Sequence, residues 1–302
     1  MRPLIALDWG TTHLRAARFE GDRVAESRQS SDGIQVIANR AFARALEQLV
    51  GDWLDAAPDS VLLASGMIGS RQGWVEADYL PCPAPLDDLV GNLCAVPFRE
   101  SSLHIVPGLT TGADEQFPDV MRGEEVQVLG TRALGAVESV FVLPGTHSKW
   151  VRVRGDTVDT FTTFMTGEVY GALREHTILG RMMTGGNSLE TEAFDDGLAA
   201  SRVAGGPGDL LSRMFSTRTL GLFERLSADG AGSYLSGLLI GSEVAAMCQQ
   251  YDADAIAILG SNALGVRYAR AFQWYGLSHR IETRDVASRG LYRIATAAGL
   301  LE

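Results

Sequence analysis

The strongest constraint in this chain is an internal repeat. Residues 4–29 read as an apolar run Leu4–Leu7, a Gly10-Thr11 turn, an alternating run Leu14–Phe19, a Gly21-Asp22 turn and a run Arg23–Gln29. The same order returns as Val140–Leu143, Gly145-Thr146, Trp150–Val153, Gly155-Asp156 and Thr157–Phe164. The offsets are 135 between Gly10 and Gly145 and 134 between Gly21 and Gly155. Gly-Asp between alternating runs signals a hairpin. Gly-Thr after a buried strand makes a tight turn whose N–H groups can face an anion. Two such units at nearly constant offset predict a duplicated architecture with two phosphate-gripping hairpins; chance similarity between common hairpins is the plainer alternative.

Helical patterns fill the remaining sequence. Phe42, Leu46, Leu49, Trp53 and Leu54 share one face, as do Val126, Leu129, Ala133 and Leu134. Two more faces follow, at Leu264, Tyr268, Ala271, Phe272 and Tyr275, and at Leu291, Ile294, Ala295, Ala298 and Leu301. Strands mixed with helices predict an α/β fold. At 302 residues the chain has room for two domains. A Gly, Thr, Asp and Pro cluster near 108–124 suggests a division into 1–115 and 116–302. Segment 184–232 predicts helices with long connections.

Net charge of -11 argues against a protein that coats nucleic acid or anionic membrane. Cys82, Cys94 and Cys248 form no close pair, which fits reduced thiols better than a disulfide framework or zinc site. The apolar start is too short for a signal peptide, and no stretch approaches the ~20 apolar residues of a membrane span. These features predict a cytoplasmic protein.

Asp8 ends an apolar strand, an expensive place for a carboxylate unless it faces a cleft and holds a hydrated cation. Thr11 and Thr12 add hydroxyls, and Arg15 can reach a phosphate. A turn aspartate bonding its own backbone is the simpler reading. In the second hairpin Gly145, Thr146 and Ser148 suit a phosphate loop, with Lys149 as a point charge. A His147–Ser148 nucleophile pair is rejected, because adjacent strand residues point to opposite faces; His147 reads as a hydrogen-bonding loop residue. Glu124 and Glu125 open a helix, where an ionised carboxylate is stabilised and can accept a proton from a hydroxyl. They are equally readable as a plain helix start. Gly260, Ser261 and Asn262 form a strand-to-helix turn able to sit under a nucleotide, or an ordinary capped helix. Gly66-Met67-Ile68-Gly69 lacks the pattern of a Walker loop.

Asp8-Trp9-Gly10-Thr11-Thr12 resembles the first phosphate motif of the acetate/sugar kinase, Hsp70 and actin superfamily. Gly145-Thr146 resembles its second phosphate motif, and Leu259-Gly260-Ser261-Asn262 its adenosine motif. Within it, Leu143-Pro144-Gly145-Thr146-His147-Ser148-Lys149-Trp150-Val151 is similar to the 2-dehydro-3-deoxygalactonokinases. So are Ala64–Ser70, Met121–Glu125 and Phe164–Glu168. The resemblance runs from Ile5 to the C-terminal helix. It implies two ribonuclease H-like domains with an active-site cleft between them, the first carrying one phosphate motif and the sugar side, the second the other two motifs. It implies ATP, Mg²⁺ and transfer of a phosphoryl group to the 6-hydroxyl of 2-dehydro-3-deoxy-D-galactonate. Asp8 would hold the hydrated Mg²⁺. Gly10, Thr11, Thr12, Arg15, Gly145, Thr146 and His147 would serve the phosphates, and Gly260, Ser261 and Asn262 the nucleotide. Related polyol kinases open the equivalent helix with Gly-Asp-Gln and take their base from it. Here Gly123-Glu124-Glu125 puts Glu124 in that place, with Glu125 in reserve.

An anionic substrate needs a local cation. Arg71 is the candidate, with Trp74 as a wall for the sugar chain and Gly33 as a further lining position; a surface arginine is the plainer reading of Arg71. Catalysis would rest on Asp8, Glu124 and Lys149. The expected partners are a sugar acid and ATP, with no nucleic acid or membrane, and a homodimer is one assembly considered. Two other readings share the phosphate motifs: an ATP-regulated binding or chaperone-type ATPase, and a kinase of the same fold for another hexonate or sugar.

Overall fold

The structure is a computed structural model that describes residues 2–113, 116–184, 186, 188–202, 209–251, 256–260 and 263–302. It contains two six-stranded sheets built on one plan. The first begins with Leu4–Trp9 (β1), Leu14–Glu20 (β2) and Arg23–Ser30 (β3), an antiparallel meander. Val61–Ser65 (β4) then lies parallel to β1, and Ser101–Ile105 (β8) parallel to β4. Cys94–Phe98 (β7) closes the edge, giving the order β3-β2-β1-β4-β8-β7.

The second large sheet uses Val140–Leu143 (β11), Ser148–Arg154 (β12), Thr157–Phe164 (β13), Ile256–Leu259 (β14) and His279–Glu282 (β15). Its order is β15-β14-β11-β12-β13-β6, where β6 is the short edge strand Ala84–Pro85. Leaving out β7 and β6, both sheets read third-second-first-fourth-fifth, with the first, fourth and fifth strands parallel. That is the duplicated architecture the repeat predicted, in the ribonuclease H-like arrangement the family resemblance implied. Boundaries from Trp9 to Ser30 recur 134 positions later: 9 to 143, 14 to 148, 20 to 154, 23 to 157 and 30 to 164. The offset of 135 at the turn glycines is thus a one-residue displacement inside an otherwise constant repeat. A third, three-stranded sheet joins Tyr79–Pro81 (β5), Gly108–Thr111 (β9) and Asp119–Met121 (β10).

Alternation along β1 decides what faces what. Ile5, Leu7 and Trp9 enter a core with Phe42, Leu46 and Val50 of helix Phe42–Ala56. That helix forms because its apolar residues recur at helical spacing. Ala6 and Asp8 point the other way, beside Ala287, Ser288 and Leu291 near the start of helix Val286–Ala297. In the second sheet Val140, Val142 and Trp150 pack with Ile240, Val244, Tyr268 and Phe272.

The helix after each fifth strand, Glu124–Ala133 and Val286–Ala297, meets the other through glycines. A Cβ on Gly130 would lie 1.8 Å from the Val286 carbonyl, and one on Gly290 2.0 Å from the Val126 carbonyl. This pair shifts the division of the chain. One compact unit comprises residues 1–137, 152–161 and 284–302; the other comprises 138–151 and 162–283. The division expected at 115/116 differs from this, because Glu124–Ala133 packs on the C-terminal helix, which itself packs on β1 and β4. Among the described residues no helix is long and apolar enough to cross a membrane.

Candidate active site

In the first unit the turn between β1 and β2 is anchored by backbone. The Gly10 N–H donates to the His13 carbonyl (2.9 Å), while Ile34 and Gln35 N–H groups donate to the Gly10 and Thr11 carbonyls (3.1 Å each). Thr12 and His13 are exposed at its tip, joined by a 2.8 Å bond between Oγ1 and Nδ1. Two distant glycines let other segments press against it. A Cβ on Gly33 would sit 2.3 Å from the Thr11 carbonyl oxygen, and one on Gly66 2.8 Å from that of Trp9. Gly33 therefore shapes the turn from beneath.

Asp8 lines a cavity of about 250 Å³ with Arg15, Gln29, Asp285 and Ser288. Its Oδ2 accepts from Arg15 Nη1 at 3.2 Å, and Arg15 also reaches Gln29. Burial pushes the Asp8 carboxyl up; Arg15 pulls it back down and Asp285 adds to the rise. Asp285 caps helix Val286–Ala297 by accepting from the Ser288 N–H and hydroxyl.

Glycines bring the start of the Glu124 helix to the end of β4. In register, Asp8 pairs with Ser65, so Gly66 follows at the strand end beside Trp9. A Cβ on Gly123 would meet Gly66 Cα at 3.1 Å, and Gly123 has φ of 104°. Helix Glu124–Ala133 thus starts against the end of β4, and Glu124 Oε2 accepts from the Arg122 N–H at 3.0 Å. The two glutamates separate cleanly. Glu124 is partly exposed, whereas Glu125 is fully buried and accepts from the Gly123 N–H with both oxygens at 2.8 Å. Burial, with Glu124 next in effect, pushes the Glu125 carboxyl up to about 8.

In the second unit Gly145, Thr146 and His147 form the matching turn, with Thr146 and His147 exposed. His147 Nε2 lies 2.6 Å from Glu168 Oε2, and the Glu168 N–H donates to the Thr146 carbonyl (2.9 Å). Helix Thr166–His176 is pressed against the turn: a Cβ on Gly167 would lie 2.3 Å from the Gly145 carbonyl. Ser148 is buried and donates to Glu243 while His147 is exposed, which agrees with rejecting the pair as a nucleophile and base. Lys149 is 6% exposed and its Nζ donates to Thr163 Oγ1 at 2.7 Å. It lies at the root of the turn, within the sheet, and not at its tip.

A cavity of about 210 Å³ opens beside this turn. Thr166 and Gly167 border it on one side, and Ala263, Leu264 and Arg267 of helix Ala263–Tyr275 on the other. Gly260 ends β14 with φ of 121°, its N–H donating to the Glu282 carbonyl. Ser261 and Asn262 lie outside the described residues.

Gly10 and Gly145 share a revealing property. A Cβ on Gly10 would find nothing closer than the His13 carbonyl oxygen at 3.7 Å, and one on Gly145 nothing closer than that of His147 at 3.6 Å. Neither has a positive φ that would call for glycine. The protein itself leaves room for alanine at both places.

The substrate-side candidates divide. Arg71 is exposed, 83% by side chain, with a loose 3.3 Å pair to Glu76. The Trp74 ring instead belongs to an aromatic cluster with Trp9, Phe42 and Phe98 at centroid distances of 5.9–6.4 Å. The sequence reading of Trp74 as a wall for the sugar chain did not foresee this cluster, because a tryptophan among Ser, Arg, Gln and Gly gives no sign of its packing partners. Gly167, Gly33, Glu125 and Glu243 also escaped assignment in those roles. Only the glycine count near the turns could have pointed to the first two.

The sequence profile of 2-keto-3-deoxy-galactonokinase matches residues 8–294. A protein of Escherichia coli (strain K12) named 2-dehydro-3-deoxygalactonokinase is 36% identical over 296 residues, covering 97% of each chain. A Rhizobium meliloti (strain 1021) protein named for the same activity is 38% identical over 298 residues, covering 97% of this chain and 96% of its own. A crystal structure from Sinorhizobium meliloti, again of a protein named for it, superposes with a TM-score of 0.85 at 34% identity, covering 97% of this chain and 98% of that one. The chain belongs to the 2-keto-3-deoxy-galactonokinase family.

Proposed function

We propose that the chain is an ATP-dependent kinase that phosphorylates the 6-hydroxyl of 2-dehydro-3-deoxy-D-galactonate, in the cytoplasm. The observation that carries this reading is the pair of accessible turns whose glycines the fold does not need. A missing Cβ with no protein atom nearer than ordinary contact distance favours close approach of a ligand to backbone N–H groups, as phosphate binding requires. The full-length family match supports the substrate.

The oxygen donors around Asp8 fit a hydrated Mg²⁺: a partly exposed carboxylate in a roomy cavity, with Ser288 and Asp285 nearby. When bound, that ion would neutralise charge on the transferring phosphates. Asp8 would hold it, and Arg15 would turn from Asp8 toward phosphate oxygens. Gly10, Thr11 and Thr12, and Gly145, Thr146 and His147, donate to the phosphates. The cavity between Gly167 and Leu264 takes the nucleoside, and Gly260, Ser261 and Asn262 serve it as the adenosine-motif resemblance implies. Lys149 adds positive potential through the strand. Glu124, partly exposed at its helix start, orients the acceptor hydroxyl and takes its proton as the new P–O bond forms and the bond from the γ-phosphorus to ADP breaks. Glu125, sealed inside, holds the Gly123 turn that aims Glu124. Arg71, able to leave Glu76 at little cost, meets the substrate carboxylate.

A panel of sugar acids assayed for ADP release tests the reading. Release with 2-dehydro-3-deoxy-D-galactonate well above that with other hexonates is expected. Slow ATP hydrolysis indifferent to every sugar acid would overturn it in favour of an ATP-regulated binding protein.

A further inference from the structure

Helix Ala231–Met247 is apolar along most of its buried length, yet Glu243 sits within it at 2% exposure. A carboxylate in such a place costs several kcal/mol unless its oxygens are well supplied with donors. Here four converge. Oε1 accepts from Ser148 Oγ (2.8 Å) and Trp150 Nε1 (2.7 Å); Oε2 accepts from Tyr268 Oη (2.7 Å) and from Thr166 Oγ1 in a short bond. The partners lie 95, 93, 25 and 77 residues away in sequence.

Three of the four donors sit next to a part of the nucleotide side. Ser148 follows directly on Gly145-Thr146-His147. Thr166 precedes Gly167, which lies against the Gly145 carbonyl, and both line the cavity beside that turn. Tyr268 is one turn along the helix from Leu264, which lines the opposite wall. One carboxylate therefore ties the phosphate turn to both walls of the cavity.

Stability alone is a poor explanation. Replacing a buried polar network by apolar groups of similar volume is often neutral or stabilising, whereas a fully satisfied network fixes one geometry. We propose that Glu243 is a positioning residue for the nucleotide: it sets the spacing between the Gly145–His147 turn and the helix Ala263–Tyr275. This rests on the kinase reading above.

The test compares Glu243→Gln, Glu243→Met and Tyr268→Phe with an Arg270→Met control, which breaks only the Arg270–Asp195 surface pair on the same helix. Thermal midpoints, KM for ATP and for the sugar acid, and calorimetric binding of a non-hydrolysable ATP analogue are measured. For both Glu243 variants the expected result is a rise in ATP KM and analogue Kd of about tenfold or more, with the sugar-acid KM within about twofold. Tyr268→Phe, losing one bond, rises roughly threefold. Arg270→Met changes neither constant, whatever its thermal midpoint. Unchanged ATP binding in folded Glu243 variants, or equal rises in both KM values, would overturn the inference. If the Glu243 variants do not fold, Tyr268→Phe decides: wild-type ATP binding there sinks it. A wild-type protein that fails to bind the analogue overturns the kinase reading, and this inference with it.

Discussion

The turns at Gly10–His13 and Gly145–His147 are copies in backbone and differ in chemistry. Both join the first two strands of a ribonuclease H-like sheet, both are exposed at the tip, and both leave about the same room above their glycine. Beneath the first lie Gly33 and Gly66, and at its base Asp8 faces a cavity with Arg15. At the repeat offset of 134, Asp8 corresponds to Val142, which is wholly buried. The second turn is braced instead by Gly167, Glu168 and the network on Glu243. The proposed kinase reading makes both turns anion-binding backbones and places the reaction chemistry at the first. On that reading the second is a holder, with its polar groups committed to fixing position.

That asymmetry predicts a hierarchy of effects. Asp8→Ala should lower kcat about a thousandfold or more while circular dichroism and thermal midpoint stay near wild type, because Asp8 serves the ligand and not the core. Activity near wild type would erase the distinction between the turns. Glu124→Gln should lower kcat by roughly a hundredfold with both KM values little changed, as expected for a base acting in the transition state. A comparable loss in Glu125→Gln with none in Glu124→Gln would move the base one residue along. Arg71→Ala should raise the sugar-acid KM about tenfold and leave that for ATP alone; equal changes in both would remove its carboxylate role.

A separate effect concerns stability and its pH dependence. Glu125 has a folded value near 8 against 4.5 when free, so between those pH values the folded state binds more protons than the unfolded one. Its contribution is full below about pH 4.5 and is lost as pH rises through about 8, with a slope approaching ~1.4 kcal/mol per pH unit within that window. Glu125→Gln removes that slope. Thermal midpoints at pH 5 and pH 8 should therefore fall further apart in wild type than in the variant; equal spacing would show that Glu125 is not held protonated.

Much of this fold was legible because its signals are local. The hairpins at 4–30 and 140–164 announced themselves through alternation and Gly-Asp turns, and the four helical faces through their spacing. Glu124 and Glu125 were readable as a pair, but only burial separates their roles. What escaped depends on contacts across long stretches of chain. Nothing near Glu243 in sequence indicates four donors up to 95 residues away. Trp74 was read as a wall for the sugar chain, and its cluster was not foreseen because its partners Trp9, Phe42 and Phe98 come from separate segments. The return of helix Val286–Ala297 to the first sheet likewise leaves no local mark.

The central claim is that ligand, and not fold, requires glycine at both turns. Gly10→Ala and Gly145→Ala, each measured for thermal midpoint and for ATP affinity, test it most directly. The account predicts midpoints unchanged or slightly raised, since alanine at a compatible site stabilises by about 0.4–1 kcal/mol, together with ATP affinity at least about tenfold weaker in each. Folded variants that bind ATP as tightly as wild type would contradict it.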